Sequence, residues 1–412
     1  MTAGDEDLAS LAGWQRELRE QFPIIVANPE LAYLDSAATA QKPHAVLAAV
    51  QTYLTTVNAN AGRGSYPWAN RTTALLAQAR QRVAEFLGDR DRDRDGDGDG
   101  DPGGPSAVHF VSGTTEGLRT IARDWLTTLL TDGDEILVPF ADHQANLLPW
   151  LEAQRLLAAR GVRITVHPLP YQASSYDYDT TALTELVGER TAFVAATHVH
   201  HVYGGNLNVH RIRQVVGPRV PICLDAAQSV GHLPLDVGEL DVDFVVFSGH
   251  KAMALPGSGA VWARNTRGPR FEPGGWSGTP NTVGAVALTA ALDWLAAADP
   301  ARIERWTVAL AARLTEGLRR LADYEVLGCQ LSLAADSSVQ QRQGIVTFRH
   351  HGIKSDDLGF VLAAHGFLVR SDSLCQAGRD EREGSVRVSV HLHNTPAEID
   401  RLLEVLRSLS VG

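Results

Sequence analysis

Along the chain, short runs rich in β-branched and aromatic residues alternate with longer stretches in which apolar residues recur every three or four positions. The runs "VHFVSG" from residue 108, "EILVPF" from 135, "RITVHPL" from 163, "TAFVAATHV" from 191, "VPICLDAA" from 220 and "VDFVVFSG" from 242 read as strands. Between them, "TEGLRTIARDWLTTLL" and "NLLPWLEAQRLLAARG" carry helical spacing. That alternation predicts an α/β fold whose mainly parallel sheet is covered by helices. From about residue 285 the texture changes to long Ala/Leu/Arg helices, followed by "GIVTFRHHG", "GFLVRSD" and "SVRVSVHLHN". A large domain over 31–284 and a smaller α+β domain over 285–412 are therefore predicted, with an N-terminal helical segment, 1–30, packing on the small one.

Two segments need separate reading. The N-terminus places Leu8, Leu11, Trp14 and Leu18 at amphipathic spacing after an acidic start, which predicts a surface helix rather than a signal peptide. The stretch "GDRDRDRDGDGDGDPGGPS", 88–106, has no apolar residue and predicts a mobile acidic loop inserted in the large domain. Asp91, Asp93, Asp95 and Gly96 imitate the start of a calcium loop, but the twelfth position would be Pro102 where a bidentate Glu is required.

Composition narrows the partners. The formal net charge of -11 argues against nucleic acid or an anionic membrane surface, both of which reward clustered Lys and Arg. No apolar run is long enough to span a bilayer. Three scattered cysteines fit neither a disulfide framework nor a metal cluster, so a reducing cytoplasm is expected and no metal.

Ligands of open α/β sheets bind beyond the carboxyl ends of the strands, so the residues just after each strand carry the candidate chemistry. "SGTTEG" sets Gly113, Thr114 and Thr115 between a strand and a helix, where hydroxyls and free N–H groups favour either phosphate or simple capping. Asp225 ends an apolar strand, where a lone carboxylate is costly without a cationic or N–H partner. Lys251 ends another, where desolvation would prepare an amine to form an imine with a carbonyl. A phosphate cradle, a buried Asp and an imine-forming Lys are together what pyridoxal 5'-phosphate requires.

The motifs "LDSAATAQKP", "SGTTEG", "DHQANLLPW", "LDAAQSVGHLPLDV", "DFVVFSGHK", "GTPNT" and "SVRVSVHLHNT" resemble, in order, those of the class V aminotransferase family, most closely its sulfur-mobilising cysteine desulfurase branch. The resemblance implies a fold-type-I homodimer with shared active sites. It makes Lys251 the Schiff-base lysine and His143 the imidazole over the pyridine ring, with Asp225 on the ring nitrogen and Gln228 on the ring oxygen. Thr114, Thr115, Ser248 and His250 would hold the phosphate, reached by Thr279 from the other subunit. Arg387 would grip the substrate carboxylate, with Ala38 lining the substrate site, and Cys375 would align with the sulfur-accepting cysteine, helped by the nearby Arg370.

Departures cluster around the substrate. Tyr66 stands where the branch carries a histidine, His201 in "THVHH" replaces an amide, "SDSLC" replaces "TGHHC", and the segment before "GTPNT" is shortened. His201 would add a proton carrier beside the ring, unless the loop turns it and His200 to solvent. The expected reaction is therefore carbon–sulfur bond processing of cysteine or an S-substituted cysteine, foremost β-elimination. The alternatives are desulfuration through a persulfide on Cys375, which alone would call for a sulfur-acceptor protein, and decarboxylating or oxidative deamination, transamination or epimerisation. A silent scaffold would have no use for Lys251, Asp225 and His143.

Overall fold

The computed structural model describes residues 3–90, 106–172, 176–273, 278–328, 341–372, 374–377 and 384–410. The predicted acidic loop and the calcium-like Asp91, Asp93 and Asp95 fall almost entirely outside them, as does Cys329.

Seven strands form the main sheet: β1 (Ser106–Val111), β2 (Glu135–Val138), β3 (Thr165–Pro168), β4 (Thr191–Thr197), β5 (Ile222–Asp225), β6 (Phe244–Ser248) and β7 (Gly259–Arg264). Their order is β1-β7-β6-β5-β4-β2-β3. β7 is antiparallel to both neighbours, while the pairs from β6 to β3 are parallel. The sheet is thus the mixed, mostly parallel one expected, but β7 is a strand the sequence reading passed over. Its run "GAVWAR" follows the lysine loop so closely that it reads as part of it.

Helices cover both faces, and the strands show it residue by residue. In β4, Phe193 and Ala195 join one buried cluster with Leu118, Trp125 and Trp150, while Val194 and Ala196 join another with Leu288 and Leu292. In β6, Phe244 and Val246 face the first cluster, Val245 and Phe247 the second. A strand buried on both sides needs apolar residues at every position, which is why these runs do not alternate with polar ones.

Four further antiparallel strands, β8 (Tyr324–Leu327), β9 (Ile345–His350), β10 (Arg370–Asp372) and β11 (Ser385–Ser389), form a second sheet in the order β8-β9-β11-β10. Its core joins Phe348, Val386 and Val388 to Trp306 and Leu310 of the helix Pro300–Arg319. Leu8 and Leu11 of the N-terminal helix Ala3–Arg19 enter the same core, and Gln15 donates through Nε2 to the carbonyl of Leu392 at 2.9 Å. Beside the second sheet, Asp35 is bridged to Ser389 of β11, and Ala32 and Tyr33 pair in parallel with Phe367 and Leu368 as a separate two-stranded sheet. Among the described residues no single helix is long and apolar enough to cross a membrane.

Candidate active site

The carboxyl ends of β1, β2, β4, β5 and β6 lie side by side in the parallel part of the sheet and its β1 edge, and each delivers one group. After β1, the helix Thr114–Thr120 opens against β6: the Thr114 N–H donates to Ser248 Oγ at 2.8 Å, and the two hydroxyl oxygens lie 2.8 Å apart. A Cβ at Gly113 would lie 3.1 Å from Ser248 Oγ, a tight contact that would push that hydroxyl by a few tenths of an ångström. Thr114 and Ser248 are buried, whereas Thr115 is exposed.

Asp225, at the end of β5, is buried and accepts the Ala227 N–H through Oδ1, at 2.9 Å. Burial pushes its carboxyl up, opposed by that hydrogen bond and by the charge of Lys251. Gln228, three residues on, donates to the Ala37 carbonyl at 2.9 Å, while its Oε1 is buried without a partner. Ala38 closes the same turn by donating its N–H to Asp35.

Lys251 closes a short 3-10 turn after β6, and desolvation pushes its amine down to about 8 despite the attraction of Asp225, with Arg387 and Arg370 adding to the depression. His250 beside it is lowered to about 4, by burial first and then by Lys251 and Lys42. A lysine so placed is partly neutral near physiological pH, the state that attacks a carbonyl.

After β2, His143 precedes the turn Gln144–Asn146 and accepts the Ala145 N–H on Nδ1 at 3.1 Å, which leaves its proton on Nε2. Burial, then Lys251, Arg370 and Arg387, hold it neutral with its proton affinity lowered to about 4. The loop after β4 does not turn outward: His200 and His201 are both buried. His201 stacks on His200 at 5.2 Å and meets His143 edge-on at 5.0 Å.

Asp142, His200 and His201 gather within 4.8 Å, the spacing of a metal site, but the tautomers argue otherwise. His200 Nδ1 accepts the N–H groups of Val202 and Tyr203, both at 3.1 Å. Its Nε2 must then carry the proton and donate to Ala141 O at 3.2 Å, with Asp142 Oδ1 3.0 Å away but outside hydrogen-bonding geometry. A ligating nitrogen needs a free lone pair, so His200 serves as a hydrogen-bond donor here.

The second sheet completes the site. Arg387 on β11 is buried, donating through Nη1 to the His201 carbonyl at 3.1 Å and pairing through Nη2 with Asp35 at 3.0 Å, while its Nε–H has no partner among the described residues. Arg370 stands directly opposite it on β10, and its Nη2 lies 3.4 Å from the exposed Cys375 Sγ. The segment 374–377 lies against the His143 loop: the Gln144 N–H donates to Cys375 O at 3.2 Å, and Gln376 Nε2 donates to Ala141 O at 2.9 Å and Tyr203 OH at 3.0 Å.

Two expected residues stand apart. Thr279 is exposed just before the helix Thr282–Ala298, and Tyr66 is 49% exposed at the start of the helix Pro67–Phe86, next to Trp68 at 59%. Conversely, Asp142 and Tyr203 lie in the stretches after β2 and β4 that the strand pattern singles out but carry no role from sequence, and Gln376 was missed. Asp142 precedes His143 in "ADHQAN" and could have been found there. Tyr203 and Gln376 are ordinary residues in sequence and meet only through the fold.

A pyridine nitrogen, a ring hydroxyl, a phosphate and an aldehyde each have a matching group here: Asp225, the unpartnered Gln228 Oε1, the Thr114–Ser248 cradle and Lys251. Fold and site together define a pyridoxal-phosphate enzyme of fold type I. The aminotransferase class-V family model matches residues 32–402, and the chain belongs to that family. Its relatives include the probable cysteine desulfurase of Vibrio cholerae, 30% identical over 94% of this chain and 96% of that one. Cysteine desulfurase CsdA of Escherichia coli is also 30% identical, over 95% and 96%. Among solved structures, the apo cysteine desulfurase of Thermococcus onnurineus superposes with a TM-score of 0.80 at 25% identity, covering 96% of this chain and 98% of that one. The S-sulfonic acid form of CsdA superposes at 0.78 and 28% identity, covering 96% and 99%. The enzyme class and the carbon–sulfur chemistry expected from the sequence stand, and of the two sulfur reactions desulfuration matches these relatives best.

Proposed function

We propose that this enzyme is a cysteine desulfurase: cysteine and the Cys375 thiol react to give alanine and a Cys375 persulfide. Arg370 and Arg387 carry this reading. They are directly opposed across β10 and β11, one touching Cys375 Sγ and the other holding an unmatched buried N–H. Opposed residues of an antiparallel pair project to the same face of the sheet. A substrate carboxylate on Arg387 therefore lies beside the thiol.

Pyridoxal phosphate, when bound, supplies the electron sink that weakens the bonds at the substrate's α and β carbons. Thr114, Ser248 and His250 would hold its phosphate, with Thr115 and a partner subunit's contribution at the rim. Asp225 and Gln228 would hold its ring and His143 would lie against it. Lys251, with its amine near neutrality, takes and returns the proton at the substrate's α-carbon through Nζ. The Cys375 thiolate, with Arg370 as its counter-charge, attacks the substrate sulfur; the carbon–sulfur bond breaks and the carbon left behind takes a proton to become alanine. No outside oxidant is needed, since the sulfur passes between two thiols.

The same reading proposes a homodimer in which the exposed Thr279 reaches the neighbouring phosphate and Tyr66 with Trp68 lies at or near the contact. It also proposes a cytoplasmic setting, a protein acceptor for the persulfide sulfur, and a division into large and small domains beyond residue 298 rather than near 285. The separate cores of the two sheets support such a division, and the later boundary follows because the helix Thr282–Ala298 packs in the core of the large sheet.

The test is Cys375→Ala, assayed with free cysteine and a reductant while alanine, sulfide and pyruvate are followed together. Alanine formation is expected to collapse while the visible band of the bound cofactor persists. Pyruvate as the main product, at a rate indifferent to Cys375, would replace desulfuration by β-elimination.

A further inference from the structure

Leu374 and Cys375 are consecutive non-glycine residues with φ of 59° and 56°. Side chains rarely adopt this left-handed conformation, and it persists only where the surroundings enforce it. Here the restraining contacts come from the loops after β2 and β4. His201 Nε2 lies 3.0 Å from the Leu374 carbonyl oxygen. A carbonyl can only accept, so His201 carries its proton on Nε2 and donates it to the turn. The Leu374 side chain is fully buried, and the Ala377 N–H donates to Asp142 O at 2.8 Å on the far side of the thiol.

His201 is itself held on three sides. Its ring stacks on His200, whose own tautomer is set by two backbone N–H groups, and it abuts His143 edge-on. Its carbonyl accepts from Arg387 Nη1 at 3.1 Å. One residue thus touches the guanidinium proposed to grip the substrate carboxylate, the imidazole proposed to lie against the cofactor ring, and the turn that carries the thiol.

We infer that His201 is a positioning residue for sulfur transfer: its Nε2–H clamps the Leu374–Cys375 turn and sets the thiol's place relative to the Arg387 subsite. This deepens the desulfurase reading and rests on it. The clamp itself is a structural property, measurable whether or not Cys375 takes up sulfur.

His201→Gln, His201→Asn and His201→Phe separate the contributions. Gln can extend an amide N–H to about the reach of Nε2, Asn falls short, and Phe keeps a ring without a donor. Hydrogen exchange of the Leu374 and Ala377 amides in the holoenzyme is expected to quicken at least about tenfold in His201→Phe and His201→Asn and to stay near the native rate in His201→Gln. kcat for alanine formation should fall by a similar factor in the first two, with KM for cysteine much less affected and the visible cofactor band retained as the sign of an intact fold. Unchanged exchange in all three overturns the clamp. Exchange that quickens equally in His201→Gln overturns the hydrogen bond as its cause. Quickened exchange with unchanged kcat refutes the role in sulfur transfer, and the Cys375→Ala result tells separately whether the desulfurase reading has failed.

Discussion

Lys251 offers the sharpest quantitative test, because an amine proposed to capture the cofactor's aldehyde must be neutral to do so. The amine is pushed from 10.5 down to about 8. At pH 7 about a tenth of it is then neutral, against roughly three parts in ten thousand for an ordinary lysine, a gain of about 300-fold in reactive amine. Burial is the largest cause, followed by the opposing attraction of Asp225 and the repulsion of Arg387 and Arg370. The perturbation is therefore bidirectional. Asp225→Asn removes the neighbour that keeps the proton on and should move the midpoint below 8, while Arg387→Gln removes one that drives it off and should move it above. The assay mixes apoenzyme with pyridoxal phosphate at a series of pH values and follows the rise of the visible band. The rate should climb about tenfold per pH unit up to about pH 8 and then level off. A rate still climbing at pH 10, or variants shifting the midpoint in the same direction, would refute the electrostatic account.

Gly117→Ala should lower the apparent melting temperature, since its new methyl would lie 2.5 Å from Val246 Cγ1 and 2.9 Å from Val261 Cγ2 in a close-packed interior, an overpacking worth about 1–3 kcal/mol; unchanged melting would mean that the cradle helix can back away from the sheet. Arg387→Lys should cut kcat/KM for cysteine roughly ten- to hundredfold, the worth of one charge-assisted hydrogen bond of about 1.5–3 kcal/mol, because an ammonium cannot replace the fork that reaches His201 O and Asp35. Acid should destabilise the fold: His198 and His232 are buried and lowered to about 4, so between there and 6.5 the unfolded chain binds protons that the folded one refuses. Each contributes stability that rises with pH by about 1.4 kcal/mol per unit across that window. Asp142, pushed up to about 7, works against them with the opposite sign. Thermal melting followed from pH 6.5 down to 4 should steepen the loss, and His198→Gln should flatten it; an unaltered acid limb in that variant would show that His198 titrates normally.

Much of the site was legible because the cofactor's needs are local. A cradle at a strand–helix junction, an Asp at the end of an apolar strand and a Lys at the end of another each sit in a few consecutive residues, and the strand pattern places them all at one edge of one sheet. The strands of the buried sheet were legible for the same reason: burial on two faces leaves continuous apolar runs such as "FVVF". β7 was not, since direction and pairing are properties of neighbours rather than of the six residues that make the strand.

The chemistry beyond the cofactor was decided in three dimensions. Sequence patterning alone determined the α/β class and pointed to the candidate lysine, carboxylate and phosphate cradle, because hydrophobic periodicity and motif spacing act over short range. Whether His201 faced solvent or the interior, that Arg370 reaches Cys375, and that Arg370 stands opposite Arg387 required the second sheet to dock on the first. Those pairings join residues more than 170 positions apart in the case of His201 and Leu374. Contacts of that kind are set by the packing of two cores against each other, and no stretch of the chain carries them by itself.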